Sequence, residues 1–234
     1  MKDKFVRIIV GISLCFITVG VIGQCLNRRI KSQVMDVALL DSLVKTDADF
    51  IMLTIGHRDC KVCHKLKFSK KMAKIRLVQE YFDITLHANN KLLGQALSVK
   101  GFPSTYVFDK NLQIRGVVSG MINRETRLRS ACESSNVVFD LSVEEVDKSK
   151  LSGMLSNTFR SLLNYWEGDI EEAKTYALNS LSYGSYFFNN YLLFLIYKME
   201  NDNEKMLFYR EQALQYTSST NKIIYEDLIR QLEK

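Results

Sequence analysis

Phe50-Ile51-Met52-Leu53-Thr54-Ile55-Gly56-His57-Arg58-Asp59-Cys60-Lys61-Val62-Cys63-His64 is the stretch from which the rest of the chain is read. Its first six residues make an apolar run, interrupted only by Thr54, that follows Asp47 and Asp49 and stops at Gly56. Such a run reads as a strand buried on both faces, the kind that parallel or mixed sheets require. Two cysteines at CxxC spacing come next. Beyond them, Cys60 to Val78 holds no Gly or Pro and is rich in lysine, which predicts a helix. Val62, Leu66, Ala73 and Leu77 would form its buried stripe.

A CxxC pair at the start of a helix has a specific chemical use. The first sulfur would sit among unpaired backbone N–H groups, where the helix dipole favours an anion. That raises the thiolate fraction. The two-residue gap brings the second sulfur close enough to form a disulfide, so the pair can exchange with a partner through a mixed disulfide. Residues 56–80 carry eight Lys or Arg against Asp59 and Glu80, and Arg58 and Lys61 flank Cys60 directly. Each cation favours the thiolate; Asp59 opposes them.

Working outward, Val34–Val44 predicts a short amphipathic helix and Tyr81–Leu86 a second strand. Leu92–Val99 predicts a helix, and Ser104–Phe108 and Gln113–Val118 two strands joined as a hairpin through Asp109-Lys110-Asn111-Leu112. Asn123 is placed to cap a last helix running to about Ser134. Strands alternating with helices and then a hairpin imply a mixed sheet with helices on both faces.

This order, with Gly101-Phe102-Pro103-Ser104-Thr105 leading into the hairpin, resembles the thioredoxin superfamily over residues 34–134. The only proline of the chain stands where that family keeps its cis-proline. Cys60-Lys61-Val62-Cys63-His64 followed by Lys65-Leu66 is similar to the site of the bacterial disulfide isomerase branch. The resemblance implies that the Phe102-Pro103 loop faces the disulfide and that the Phe102 backbone pairs with an extended substrate strand. It also implies that Phe102, Pro103 and Ser104 hold the substrate, that Cys60 attacks and that Cys63 resolves. Lys61, Val62 and His64 complete the motif. Three departures stand out: Asp59 replaces the usual tryptophan, Thr54 replaces the buried acid six residues before the first cysteine, and Phe68 stands near the place of the helix-kinking proline. Without that acid, His64, Lys61 or water is left to move the proton off Cys63.

The same letters admit other chemistry. Cys60-Lys61-Val62-Cys63-His64 also matches the attachment motif of a c-type haem, with Met72, Met121 or His87 as sixth ligand. With His57, His64 or His87 the pair could hold zinc, and it could also be a structural disulfide. Of the other cysteines, Cys15 and Cys25 lie near the N-terminus, and Cys132 reads as a packed thiol.

The N-terminus reads as an address. Lys2, Lys4 and Arg7 precede an apolar run from Ile8 to Ile22, and Val21 and Gly23 suit a cut before Gln24. That is the plan of a secretory signal over residues 1–23. An uncleaved anchor and a lipoprotein acylated at Cys25 are the alternatives. All three place the remainder in the periplasm or cell envelope, with membrane contact only through this segment.

Residues 136–149 are acidic and irregular and read as a linker between a domain at 32–135 and a helical region at 150–234. In that region Gly168-Asp169-Ile170-Glu171-Glu172-Ala173 aligns at an offset of 33 with Asn201-Asp202-Asn203-Glu204-Lys205-Met206. A period near 34 residues marks helix-turn-helix repeats, and the region resembles tetratricopeptide arrays. A groove between its helices would suit a peptide or protein partner. Tyr183–Tyr197 would either line that groove or form helix core.

The chain has 234 residues, 47% apolar and 25% charged, with 11 Gly and one Pro. That excludes a disordered or collagen-like chain and argues against an all-β protein. The net charge of +6 comes largely from residues 1–31, where six Lys or Arg face Asp3, so it is not a nucleic-acid footprint. The expected fold is therefore an α/β thioredoxin-like domain followed by an all-α helical-hairpin region. The expected activity is thiol–disulfide exchange on protein substrates, with a redox partner protein and no organic cofactor. The alternative is a partner-binding scaffold with little turnover.

Overall fold

The computed structural model describes residues 31–66, 71–72, 75–134, 136–139, 147–217 and 222–233. The predicted N-terminal address and half of the acidic stretch, residues 140–146, lie outside them. In chain order the elements are α1 (Val37–Val44), β1 (Phe50–Gly56), β2 (Lys71–Met72), β3 (Ile75–Asp83), α2 (Ala88–Ala96), β4 (Ser104–Asp109), β5 (Ile114–Ser119), α3 (Arg124–Glu133) and β6 (Val138–Phe139). Then come α4 (Lys148–Glu167), α5 (Ile170–Tyr183), α6 (Phe187–Met199), α7 (Asn203–Gln215) and α8 (Lys222–Leu232).

The sheet is mixed, with strand order β2-β3-β1-β4-β5-β6. β1 lies near its middle, parallel to β3 and antiparallel to β4. The hairpin partner β5 follows β4, and β6 runs parallel to β5 at the edge. Residues Ile51 to Gly56 of β1 are all buried, as the apolar run predicts. Alternate residues serve two cores. Ile51, Leu53, Ile55, Phe82, Tyr106 and Phe108 pack with Leu40 and Leu43 of α1, Leu93 of α2 and Leu155 and Phe159 of α4. On the other face Met52, Val107 and Val118 pack under Leu128 and Ala131 of α3. Each fully buried Leu or Phe contributes about 1.5–3 kcal/mol over its exposed state.

The largest correction to the sequence reading concerns residues 60–78. They are not one helix: Cys63–Lys65 form a single 3-10 turn, and Ile75 to Val78 already belong to β3. The register explains why. Phe50 to Ile55 each face a β3 residue from Leu77 to Phe82, and the alternating Ile75, Leu77, Gln79 and Tyr81 satisfy that pairing. Lysine-rich helix propensity is a weak prior, and a central strand overrides it. The second strand therefore starts and ends earlier than Tyr81–Leu86, and α2 starts at Ala88 rather than Leu92. α1 starts at Val37, where Asp36 accepts the N–H of Leu39. Asn123 precedes α3, but in a left-handed conformation and without a side-chain cap. Within the acidic stretch, Val138–Phe139 pairs with β5 and α4 begins at Lys148.

α4 ties the helices to the sheet. Ser156 Oγ accepts the N–H of Ile114 at 2.9 Å, and Ser152 Oγ donates to the Ile114 carbonyl at 2.6 Å. Residues 32–234 form one compact unit. The 33-residue offset in the sequence has a structural counterpart. Gly168 and Asn201 both take left-handed conformations, at φ +83° and +59°. Asp169 and Asp202 both cap the next helix, accepting the N–H groups of Glu172 and Lys205. Phe187, Phe188, Tyr191, Phe194 and Tyr197 are buried helix core, whereas Tyr183, at the start of the aromatic stretch, is exposed. Among the described residues, no helix is long and apolar enough to cross a membrane.

Candidate functional site

The cysteine loop leaves the sheet at the C-terminal end of β1. A turn closes it: the Cys60 N–H donates to the His57 carbonyl at 2.9 Å. Cys60 and Cys63 are joined as a disulfide with Cα atoms 5.3 Å apart. The Cys63 N–H lies 3.2 Å from Cys60 Sγ, to which it donates. That donor would remain available to a Cys60 thiolate, and hydrogen bonds to an ionised group are the stronger kind. The two sulfurs are not equally placed. Cys63 is 3% exposed, whereas Cys60 is only partly buried, and Lys61 and Val62 between them face solvent. His64 lies in the 3-10 turn.

The second half of the site comes from the strand that pairs with β1. Ile55 lies opposite Ser104, so the loop ahead of β4 reaches the same sheet end as the cysteine loop. The Phe102–Pro103 peptide bond is cis. Ser104 Oγ donates to the Gly101 carbonyl at 2.7 Å and lies 3.0 Å from Ser119 Oγ, which fixes the loop to β5. The Pro103 carbonyl accepts the Gly120 N–H at 2.8 Å. The loop that follows Gly120 carries Met121 and Ile122, both exposed, beside this segment.

His57 joins the two halves. Its ring centroid lies 5.5 Å from that of Phe102. Its Nδ1 accepts the Asp59 N–H at 3.2 Å and lies 3.7 Å from Asp59 Oδ2. A neutral His57 that accepts at Nδ1 carries its proton on Nε2. The sequence names His57 only as a possible zinc ligand; its place three residues before Cys60 is the signal for a role beside the disulfide.

Beneath the loop, Gly56 is required by a close approach. A Cβ there would run into the ring and hydroxyl of Tyr81. The Tyr81 hydroxyl is buried with no hydrogen-bond partner, and burial, with the Asp83 charge adding, pushes its pKa up to about 12. Thr54, which stands at the position of the expected buried acid, lies 2.8 Å from Thr105 across the β1–β4 pair. Arg124, at the start of α3, donates from Nη2 to both hydroxyls.

The helix dipole invoked for Cys60 is absent among the described residues, because the segment after it is a three-residue turn. The Cys63 N–H is the group placed to stabilise a Cys60 thiolate, with Arg58 and Lys61 flanking in sequence. Among the described residues no group of three or more His, Cys, Asp or Glu is arranged to hold a metal ion. Cys132 is free and packs at the edge of the α3 core. A cleft of about 390 Å³ between α1, α4 and the β4–β5 turn includes none of the cysteine-loop residues.

No protein-family model and no curated protein matches this chain. The site is an α/β sheet carrying a disulfide-forming CxxC pair, compatible with thiol–disulfide chemistry.

Proposed function

We propose that the chain is a thiol–disulfide oxidoreductase of thioredoxin-like fold that exchanges disulfides with protein substrates through Cys60 and Cys63. The observation that carries this reading is the juxtaposition at one sheet end. A disulfide with one partly accessible sulfur lies beside a cis Phe102–Pro103 segment, and the His57–Phe102 ring contact links them. Cys60 is the attacking sulfur because it is the more accessible and its Sγ has a backbone N–H at hand. Cys63, buried, resolves the mixed disulfide. Phe102, Pro103 and Ser104 hold an extended stretch of substrate, and Lys61, Val62 and His64 shape the approach.

The wider reading is a cell-envelope protein, delivered by its N-terminal segment and served by a redox partner protein. Its C-terminal helices form a tetratricopeptide-like platform for a further peptide or protein. The matching loops at Gly168-Asp169 and Asn201-Asp202 support the repeat reading.

The test is exchange with a peptide disulfide, followed for the reduced protein and for Cys60→Ser and Cys63→Ser. The reading predicts that C60S abolishes exchange and that C63S accumulates a mixed disulfide at Cys60. Exchange that persists in C60S removes Cys60 as the nucleophile. No exchange by the unaltered protein leaves the scaffold reading in its place.

A further inference from the structure

The Arg124 guanidinium lies where two strands meet below the site. Its Nη2 donates to Thr105 Oγ1 and, at 3.4 Å, to Thr54 Oγ1. Thr54 belongs to the strand that runs into the cysteine loop, and Thr105 to the strand that leaves Pro103. Arg124 Nη1 is closed off from solvent and has no hydrogen-bond partner. Among the described residues, no Asp or Glu pairs with this guanidinium. The groups facing it are the two threonines, and its charged neighbour is another cation, Arg127, whose Nη2 donates to the Ser119 carbonyl at 3.0 Å. Glu125 on the same helix is exposed. Burial, with Arg127 adding, lowers the Arg124 pKa to about 10, as expected of a cation short of an anion.

Arg124 is only partly buried, but its Nη1 is shut off from solvent, and a cation in such a place without a counter-ion is costly. The carboxylates near the cysteine loop, Asp59 and Asp83, make no ion pair with Arg124 among the described residues. Reduction adds a thiolate at the same end of the sheet. We propose that Arg124 is a redox-tuning residue that favours the dithiol form and so makes the Cys60–Cys63 disulfide an electron acceptor, oxidising cysteine pairs in substrate proteins. The inference rests on the exchange reading above and adds the direction of electron flow.

A substrate thiolate attacks Cys60 Sγ; the Cys60–Cys63 bond breaks and its electron pair leaves on Cys63 as a thiolate. The second substrate thiolate then attacks its own partner's sulfur in the mixed disulfide and releases the Cys60 thiolate. Two electrons pass from the substrate dithiol to the protein, and the substrate's two protons go to solvent or to the new thiolates. Thr54 lies two residues before the end of β1, about 7 Å along the strand at the usual rise. The guanidinium is thus anchored two residues short of the point where the cysteine loop departs, and it acts through space on the thiolate rather than by contact.

The test is equilibration of the full chain with reduced and oxidised glutathione, reading the Cys60–Cys63 dithiol fraction by alkylation and mass. Arg124→Met is expected to lower the equilibrium constant for reduction about tenfold, which for this two-electron couple is about 30 mV. Arg124→Lys, which keeps the charge, should stay within about threefold of the unaltered protein. Thr54→Asp, which sets a carboxylate beside the guanidinium, should move the equilibrium in the same direction as R124M and decides the matter should R124M fail to fold. The ultraviolet absorbance of the thiolate in the reduced protein should titrate at higher pH in both R124M and T54D. An unaltered protein that cycles reversibly, with a midpoint that neither R124M nor T54D moves, overturns this inference alone. A pair that never cycles overturns the exchange reading and this inference with it.

Discussion

The ring of His57 lies 5.5 Å from the ring of Phe102, so the residue three before Cys60 touches the residue before the cis-proline. Aromatic pairs of this kind contribute about 0.5–1.5 kcal/mol beyond their buried area. The contact holds the cysteine loop against the segment proposed to grip the substrate. His57→Ala should slow exchange with a peptide disulfide about tenfold, roughly 1.4 kcal/mol in the barrier. Because His57 is near the surface, its loss should change unfolding free energy by less than about 1 kcal/mol. His57→Phe, which keeps the ring, should retain most of the rate. Rates equal across all three proteins would remove His57 from the site.

Gly56 and Tyr81 make a second pair with a clear consequence. Gly56→Ala would force its Cβ into the Tyr81 ring, and overpacking of this kind costs about 1–3 kcal/mol. Tyr81→Phe acts in the opposite direction. It removes a buried hydroxyl that has no partner, so it should be neutral or stabilising by about 1 kcal/mol. Denaturant unfolding of both variants measures this; a Y81F protein destabilised by 2 kcal/mol or so would mean the hydroxyl is hydrogen-bonded after all.

Cys132 offers a selectivity test. Burial, with Glu133 adding, pushes its thiol up to about 12, so its thiolate is scarce near neutral pH. Only the thiolate is a good nucleophile. In the native, reduced protein at pH 8 an alkylating reagent should label Cys60 and spare Cys132, and denaturation should expose Cys132 to labelling. Equal labelling of both in the native state would contradict the packing of Cys132 at the edge of the α3 core.

The repeated caps give a stability prediction with a pH sign. Asp169 accepts the Glu172 N–H at 3.2 Å, and Asp169→Ala should cost about 1 kcal/mol. Asp202 accepts the Lys205 N–H at 3.1 Å, and its pKa is lowered first by that backbone hydrogen bond and then by the Lys205 side chain. A carboxylate with a depressed folded-state pKa contributes stability above its unfolded pKa and loses it as pH falls through the folded value. Asp202→Asn should therefore flatten part of the stability loss between neutral and acid pH in denaturant melts. An unchanged pH slope in D202N would remove the cap from the account.

Much of this arrangement was legible in the letters, and the rest was not for physical reasons. Phe50 to Ile55 announced a strand buried on both faces, and the 104–118 hairpin was placed to within a residue at each strand. The Cys60–Cys63 pair and Pro103 were found from spacing and context. The helix expected over Cys60 to Val78 rests on an absence of breakers, while the signal that decides is the alternation that begins at Ile75. Pairing with β1 decides there, and pairing is non-local. Arg124 read as the opening of a helix; that its guanidinium turns inward to Thr54 depends on how α3 lies on the sheet. His57 likewise gains meaning only when the Phe102 loop folds back beside it.

The most direct test of the central claim is a redox titration of the Cys60–Cys63 pair. The full chain is equilibrated across a series of thiol/disulfide buffers, its free thiols are trapped by alkylation, and the mass shifts are mapped to residues. Thiol–disulfide exchange as the function predicts one reversible two-thiol transition at Cys60 and Cys63, with Cys132 taking no part. A disulfide that resists every buffer, or thiols that never rejoin once reduced, would contradict it and leave a structural cross-link in a partner-binding scaffold.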